Sequence, residues 1–223
     1  GLATCGHRAL NPGPVKVQSF KDYARKLRQA GVEFDPAERR KKIQKELKVI
    51  LEDSRLRHVD DPWLEDWVVN STEWPHAILG SFDPRHLRLP REILVTVMRD
   101  HQKYFAVENR KGELQPRFIA VLNQEGDRKG LIRCGHERVL AARFTDAEFF
   151  WDSDQRAPLR ARRPRLANVT YQAELGSYAE KVRRMHVLAA ELCMTLETAG
   201  KLAPEAKAWV LDAIELCKCD LTT

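Results

Sequence analysis

No hydrophobic run in the chain approaches bilayer length, and the opening Gly-Leu-Ala-Thr-Cys lacks the pattern of a signal peptide. A membrane-spanning or secreted class is therefore not expected. Cysteine is sparse and odd in number: five residues, Cys5, Cys134, Cys193, Cys217 and Cys219, scattered along the chain. That distribution argues against a disulfide scaffold and fits a reduced, cytoplasmic protein. Glycine never takes the spacing of a dinucleotide fold or a P-loop, so no nucleotide-binding loop is legible. There is no internal repeat and no low-complexity segment. Neither a Ser-His-Asp nor a Cys-His arrangement can be read from spacing, because such groups meet only in three dimensions.

What is present is charge. Of 223 residues, 31% are charged and 43% hydrophobic, with a net charge of +6. Such a chain can bury one sizeable core or two smaller ones, and its basic balance favours a polyanionic partner. It lacks an initial methionine and stops at Thr223 just after a helical pattern, so it is expected to be a piece of a longer polypeptide.

Local signals divide the chain. Val15–Val17 follows the turn signal Pro12-Gly13-Pro14 and predicts a short strand. Ser19 is placed to cap a helix carrying Phe20, Tyr23, Ala24 and Leu27, with Gly31 as its stop. Asp35, Pro36 and Glu38 predict the start of a second helix with a capping box. Ile43, Leu47, Ile50 and Leu51 form its buried stripe, and Arg39, Arg40, Lys41, Lys42, Lys45 and Lys48 its cationic remainder. Asp61-Pro62 opens a helix bearing Trp63, Leu64 and Trp67. Strands are expected at His76–Phe82, Lys103–Glu108 and Arg117–Asn123, the last two joined as a hairpin across Asn109-Arg110-Lys111-Gly112. Between the first two lies a helix from about Pro90, with Ile93, Leu94, Val97 and Met98 inward.

From Asp127 the pattern is helical. The stretch 152–166, which carries Arg156, Arg160, Arg162, Arg163 and Arg165 with the breakers Pro158 and Pro164, is expected as a connector. Ser177 and Glu180 predict a capping box for a long helix with Tyr178, Val182, Met185, Leu188 and Leu192 inward. A last helix from Pro204 spaces Ala206, Trp209, Val210, Ala213, Ile214 and Cys217 along one face. The expected fold class is α+β, with an α+β module over residues 1–165 and the start of a helical unit over 166–223. Two helices bury too little alone, so the second unit is expected to continue past Thr223.

Metal chemistry is poorly served. Cys5-x-His7, Cys134-x-His136 and Cys217-x-Cys219 have one-residue gaps that chelate badly, and Cys217 is expected on the buried face of its helix. Asp100-His101-Gln102-Lys103-Tyr104-Phe105 concentrates acid–base groups, best read as a helix-to-strand junction. The basic runs Arg39 to Lys48, Lys129 to Arg143 and Arg156 to Arg165 carry more weight, since lysine and arginine neutralise phosphates and release counterions. Arg138, Arg143, Arg160 and Arg163 are the first candidates for contact with a nucleic-acid backbone, and Arg39 and Lys42 the second group. A solvated helix face is the alternative for each.

Several strings taken in order resemble the beta subunit of the heterotetrameric bacterial glycyl-tRNA synthetase. They are Gly6-His7-Arg8, Glu73-Trp74-Pro75, Leu89-Pro90 through Met98, and His101-Gln102-Lys103-Tyr104-Phe105. After them come Gly135 to Arg143, Asp146-Ala147-Glu148-Phe149-Phe150, Gln172-Ala173-Glu174-Leu175-Gly176 and Lys218-Cys219-Asp220-Leu221-Thr222. The collinear order covers nearly the whole chain. The resemblance implies an internal portion of that subunit: a module like that of the phenylalanyl-tRNA synthetase beta subunit, then the start of a helical domain similar to the HD phosphohydrolases. It implies tRNA(Gly) and the alpha subunit as partners in an alpha2beta2 assembly. ATP, Mg and glycine would be handled by the alpha subunit, leaving no catalytic residue, cofactor or metal here.

Two departures stand out. His136 occupies a position where the family's string carries asparagine, and no His-Asp dipeptide occurs, so an HD metal site is not assigned. Gly135-His136-Glu137-Arg138 also lacks the flanking glycines and strand context of an ATP-binding signature. The alternatives are a tRNA-editing or HD-type hydrolase, and a pure assembly scaffold.

Overall fold

The computed structural model describes residues 2–52 and 55–223. It resolves into two compact units, Gly1–Glu148 and Phe149–Thr223.

The first unit begins with an antiparallel pair, β1 (Ala3–Cys5) and β2 (Pro14–Lys16). Helix α1 (Phe20–Gln29) starts where the Ser19 hydroxyl accepts from Asp22 N, and it ends at Gly31, whose φ of 75° suits glycine. Helix α2 (Pro36–Val49) is capped by Asp35 alone. The expected capping box is absent because Glu38 turns outward to Lys41, while Asp35 N donates to Glu33 Oε1. Strand β3 (Leu56–His58) follows, then α3 (Pro62–Ser71), where Asp61 caps through Leu64 N.

Strand β4 (Pro75–Ser81) leads into α4 (Arg91–Thr96), which continues as a π turn over Val97–Gln102. Strands β5 (Phe105–Asn109) and β6 (Leu114–Asn123) form the expected hairpin. Asn109 Oδ1 accepts from Lys111 N and Glu113 N, and Gly112 sits at φ 81°. The four strands pair antiparallel in the order β3-β5-β6-β4.

Alternation along β6 sends Phe118 to one face of this sheet and Ile119 to the other. On the Ile119 face, Ile43, Leu47 and Leu51 meet Leu64, Val68 and Val69, together with Phe105 and Val107, in one apolar cluster. Each such fully buried side chain contributes about 1.5–3 kcal/mol of transfer free energy. The Phe118 face is covered by α5 (Leu131–Gln155), where Phe144 packs edge-on against Phe82 at 4.9 Å between centroids. Gly80 opposes Phe118 directly, and a Cβ there would lie 2.3 Å from the ring. The glycine is what admits the phenylalanine.

The second unit starts within the last turns of α5. Residues 152–166, expected as a connector, are ordered: α6 (Leu159–Arg162) is followed by a 3-10 turn over Arg163–Asn168 that buries Leu166 completely. Arg162 is also buried, donating to Thr222 O and Ser153 O and pairing with Asp154 at 2.9 Å. A small hairpin, β7 (Thr170–Gln172) with β8 (Gly176–Ser177), precedes α7 (Tyr178–Thr198), and this hairpin was not legible in a sequence read as wholly helical. The Ser177–Glu180 capping box forms as expected. Helix α8 (Pro204–Leu216) packs against α7 around Leu166, Val182 and Cys219.

Three expectations are corrected here. Leu188 and Leu192 are exposed, so α7 buries a narrower stripe than its spacing suggested. Trp209 is 73% exposed on α8. Cys217 is exposed and Cys219 is the buried thiol, because the helix ends at Leu216 and the following turn rotates Cys219 inward.

Candidate nucleic-acid interface

The six basic candidates fall into three physical groups. Arg138 and Arg143 lie exposed on α5 with no ion-pair partner among the described residues. Five positions at 3.6 residues per turn separate their directions by about 140°. They flank the buried stripe of Leu140 and Phe144 and point to different sides of α5. Arg160 and Arg163 are already engaged. Arg160 pairs with Asp212 at 2.7 Å and Glu215 at 3.4 Å, and Arg163 with the same Glu215 at 3.4 Å. The hydrogen bond to Asp212 holds the Arg160 guanidinium above its ordinary pKa.

Arg39 and Lys42 behave differently again. The Arg39 guanidinium donates from Nε to Val69 O at 2.8 Å and from Nη1 to Glu33 O at 2.7 Å, tying α2 to α3. Lys42 rests over the Trp74 ring at 4.1 Å from its centroid, and burial pushes its ammonium below the usual lysine range.

The basic segment from Lys129 contributes further cations, joined by Arg128. Arg128, Lys129 and Arg133 line a cavity of about 500 Å³ with Ile50, Ile78 and Leu79 at the start of α5. Asp127 caps that helix by accepting from Arg133 N at 2.7 Å, and the backbone N–H groups of the first turn hold its carboxyl below the ordinary range. The chain itself places these cations within six residues, and the fold adds the opposing wall of Ile50, Ile78 and Leu79.

Two strings far apart in sequence meet here. The Tyr104 hydroxyl, after the π turn, hydrogen-bonds with Nδ1 of His136 on α5. Glu137 beside it accepts from Ser81 N at 2.9 Å and Ser81 Oγ at 3.0 Å. Gly135 to Arg138 thus forms part of a helix clamped onto the sheet. His101 is exposed, and Asp100 is engaged by Arg99, whose hydrogen bonds hold the carboxyl below its usual range. Among the described residues no three His, Cys, Asp or Glu side chains are grouped to hold a metal ion. No helix among them is long and apolar enough to cross a membrane.

A family model described as the glycyl-tRNA synthetase beta subunit matches residues 1–223. The chain is 45% identical over 99% of its length to the glycine–tRNA ligase beta subunit of Acidobacterium capsulatum. It is 41% identical to the proteins of that name from Rhodospirillum centenum and Moorella thermoacetica, over 100% and 99% of its length. The chain spans 31% of the length of each of these three relatives. It is thus related throughout to subunits of an aminoacyl-tRNA synthetase. The chain belongs to the glycyl-tRNA synthetase beta subunit family.

Proposed function

We propose that this chain is a non-catalytic portion of a glycine–tRNA ligase beta subunit that helps to hold tRNA(Gly) and to assemble with the alpha subunit in an alpha2beta2 enzyme of the cytoplasm. ATP, Mg and glycine are handled by the alpha subunit in this reading. The first unit is taken as a counterpart of the phenylalanyl-tRNA synthetase beta-subunit module, and the second as the beginning of an HD-like helical domain.

The observation that carries the reading is the family match from end to end, on a chain whose long helix α5 presents Arg138 and Arg143 free of acidic partners among the described residues. Arginine grips phosphate through two parallel hydrogen bonds, so an exposed, unpaired arginine engages a phosphate without first breaking an ion pair. Arg160 and Arg163 remain in the proposed path, exchanging Glu215 for phosphate as RNA docks.

The test uses the full-length beta subunit carrying Arg138→Ala and Arg143→Ala, reconstituted with its alpha subunit. The expected result is a raised KM for tRNA(Gly) with glycine-dependent pyrophosphate exchange unchanged. Unchanged tRNA kinetics would remove α5 from the RNA path, and loss of pyrophosphate exchange would show that α5 serves the catalytic site instead.

A further inference from the structure

Trp63 and Trp67 stand one turn apart on α3, 53% and 42% exposed. Residues four positions apart on a helix share a face, so the two indoles form one aromatic surface. Neither is needed to close the core, which α3 serves through Leu64, Val68 and Val69. Lys103 lies above them, its Nζ 4.7 Å from the Trp63 ring and 5.3 Å from the Trp67 ring. The Arg99 guanidinium is 6.0 Å from Trp63.

The backbone that delivers Lys103 is unusual. Helix α4 passes into a π turn at Val97–Gln102, and Lys103 ends it in the left-handed region at φ 58°. It is the only non-glycine residue with positive φ among the described residues. Such a conformation costs free energy, and π turns concentrate at functional positions. Here the turn holds a cation against two exposed indoles.

The nearby acids are engaged in part, with Asp60 exposed three positions before Trp63 and one Arg40 shared by two carboxylates. Asp61 is occupied capping α3, Glu65 and Asp66 are held by Arg40, and Asp100 by Arg99. Exposed indoles accompanied by cations are the elements that take unpaired bases and the phosphates between them, with the ammonium now over the rings free to move to a phosphate when a base stacks.

We propose that Trp63, Trp67 and Lys103 form a stacking platform for two or more unpaired nucleotides of an RNA. Stacking uses the base faces and is tolerant of sequence, so the ligand class is single-stranded RNA, such as the unpaired ends and loops of a tRNA. The site is separate from the backbone contacts assigned to α5, but its RNA ligand rests on the same functional reading.

The experiment uses the full-length beta subunit with its alpha subunit and short single-stranded RNA as the probe, with an abasic strand of the same length as control. Tryptophan emission should be quenched by the RNA, and Trp63→Leu and Trp67→Leu should each weaken binding about ten-fold while thermal stability is unchanged. Lys103→Gly, which relieves the backbone strain but removes the ammonium, should weaken binding without loss of fold. Equal affinity for the abasic strand would overturn stacking. Protection of both indoles from oxidation in the RNA-free holoenzyme would overturn the platform by showing a protein partner on it. If the Trp variants lose oligonucleotide binding while Arg138→Ala and Arg143→Ala leave tRNA affinity intact, the platform stands and the α5 path falls.

Discussion

The Tyr104 phenol and the His136 imidazole join the segment that enters β5 to the helix that covers the sheet. Burial pushes the phenol pKa up to about 12, so it keeps its proton and shares a hydrogen bond with Nδ1 of the imidazole. Its ring also stacks on Phe118 at 4.6 Å between centroids. Tyr104→Phe keeps the stack and loses the hydrogen bond, and the expected cost is about 1 kcal/mol in denaturant unfolding. Tyr104→Phe in a His136→Gln background should cost much less; equal cost in both backgrounds would mean the two groups are not coupled.

Acid should weaken the first unit through its histidines. Burial holds the His136 and His58 imidazoles below the ordinary value of 6.5, so the folded state favours their neutral forms. A depressed folded pKa means the unfolded chain binds the proton first. Their contribution is complete above the unfolded value and is lost as pH falls below it and through the folded values. Melting temperature should drop as pH falls through about 6.5, and His58→Gln with His136→Gln should flatten that slope. An unchanged slope in the double variant would assign the loss to other groups.

Gly80→Ala should destabilise by about 1–3 kcal/mol, since its new methyl meets a Phe118 ring that has no exposed surface to move into. Phe118→Leu in the same chain should recover part of that loss. Full stability of Gly80→Ala alone would mean that β4 and β6 separate more easily than their seven-residue register implies.

Basic candidates should separate into folding and binding residues. Arg39→Ala strands the carbonyls of Val69 and Glu33 and should cost about 2 kcal/mol of stability. Arg138→Ala should change stability by less than about 0.5 kcal/mol, as is usual for an exposed side chain with no partner. Thermal melts of the two variants check this, and equal melting temperatures would contradict the division.

Elements with strong local signals were legible before the fold was seen. Ser19, Asp61 and the Ser177–Glu180 pair start helices where their chemistry predicts, and Asn109–Gly112 turns the hairpin. The misses have a common physical origin. Leu188 and Leu192 have helical spacing, but spacing reports a potential apolar face and says nothing of what covers it. Arg39 looked like its lysine neighbours because the carbonyls that capture it are supplied partly by α3, thirty positions away at Val69. The Tyr104–His136 contact and the cavity at Arg128, Lys129 and Arg133 exist only once strands and helices are assembled. The family itself was readable from collinear strings, because those strings include turns, caps and junctions that the fold depends on.

If α5 lends Arg138 and Arg143 to an RNA backbone, as proposed, tRNA(Gly) binding must weaken with salt in a way that depends on both. Full-length beta subunit with its alpha partner would be titrated between about 50 and 200 mM salt, as wild type and with Arg138→Ala and Arg143→Ala singly and together. Each replacement should weaken binding and reduce the slope of log affinity against log salt by about 0.7–0.9 per lost phosphate contact, and the double variant by the sum, as expected of two side chains that point to different sides of the helix. Wild-type affinity and slope in the folded double variant would show that neither arginine of α5 meets the RNA.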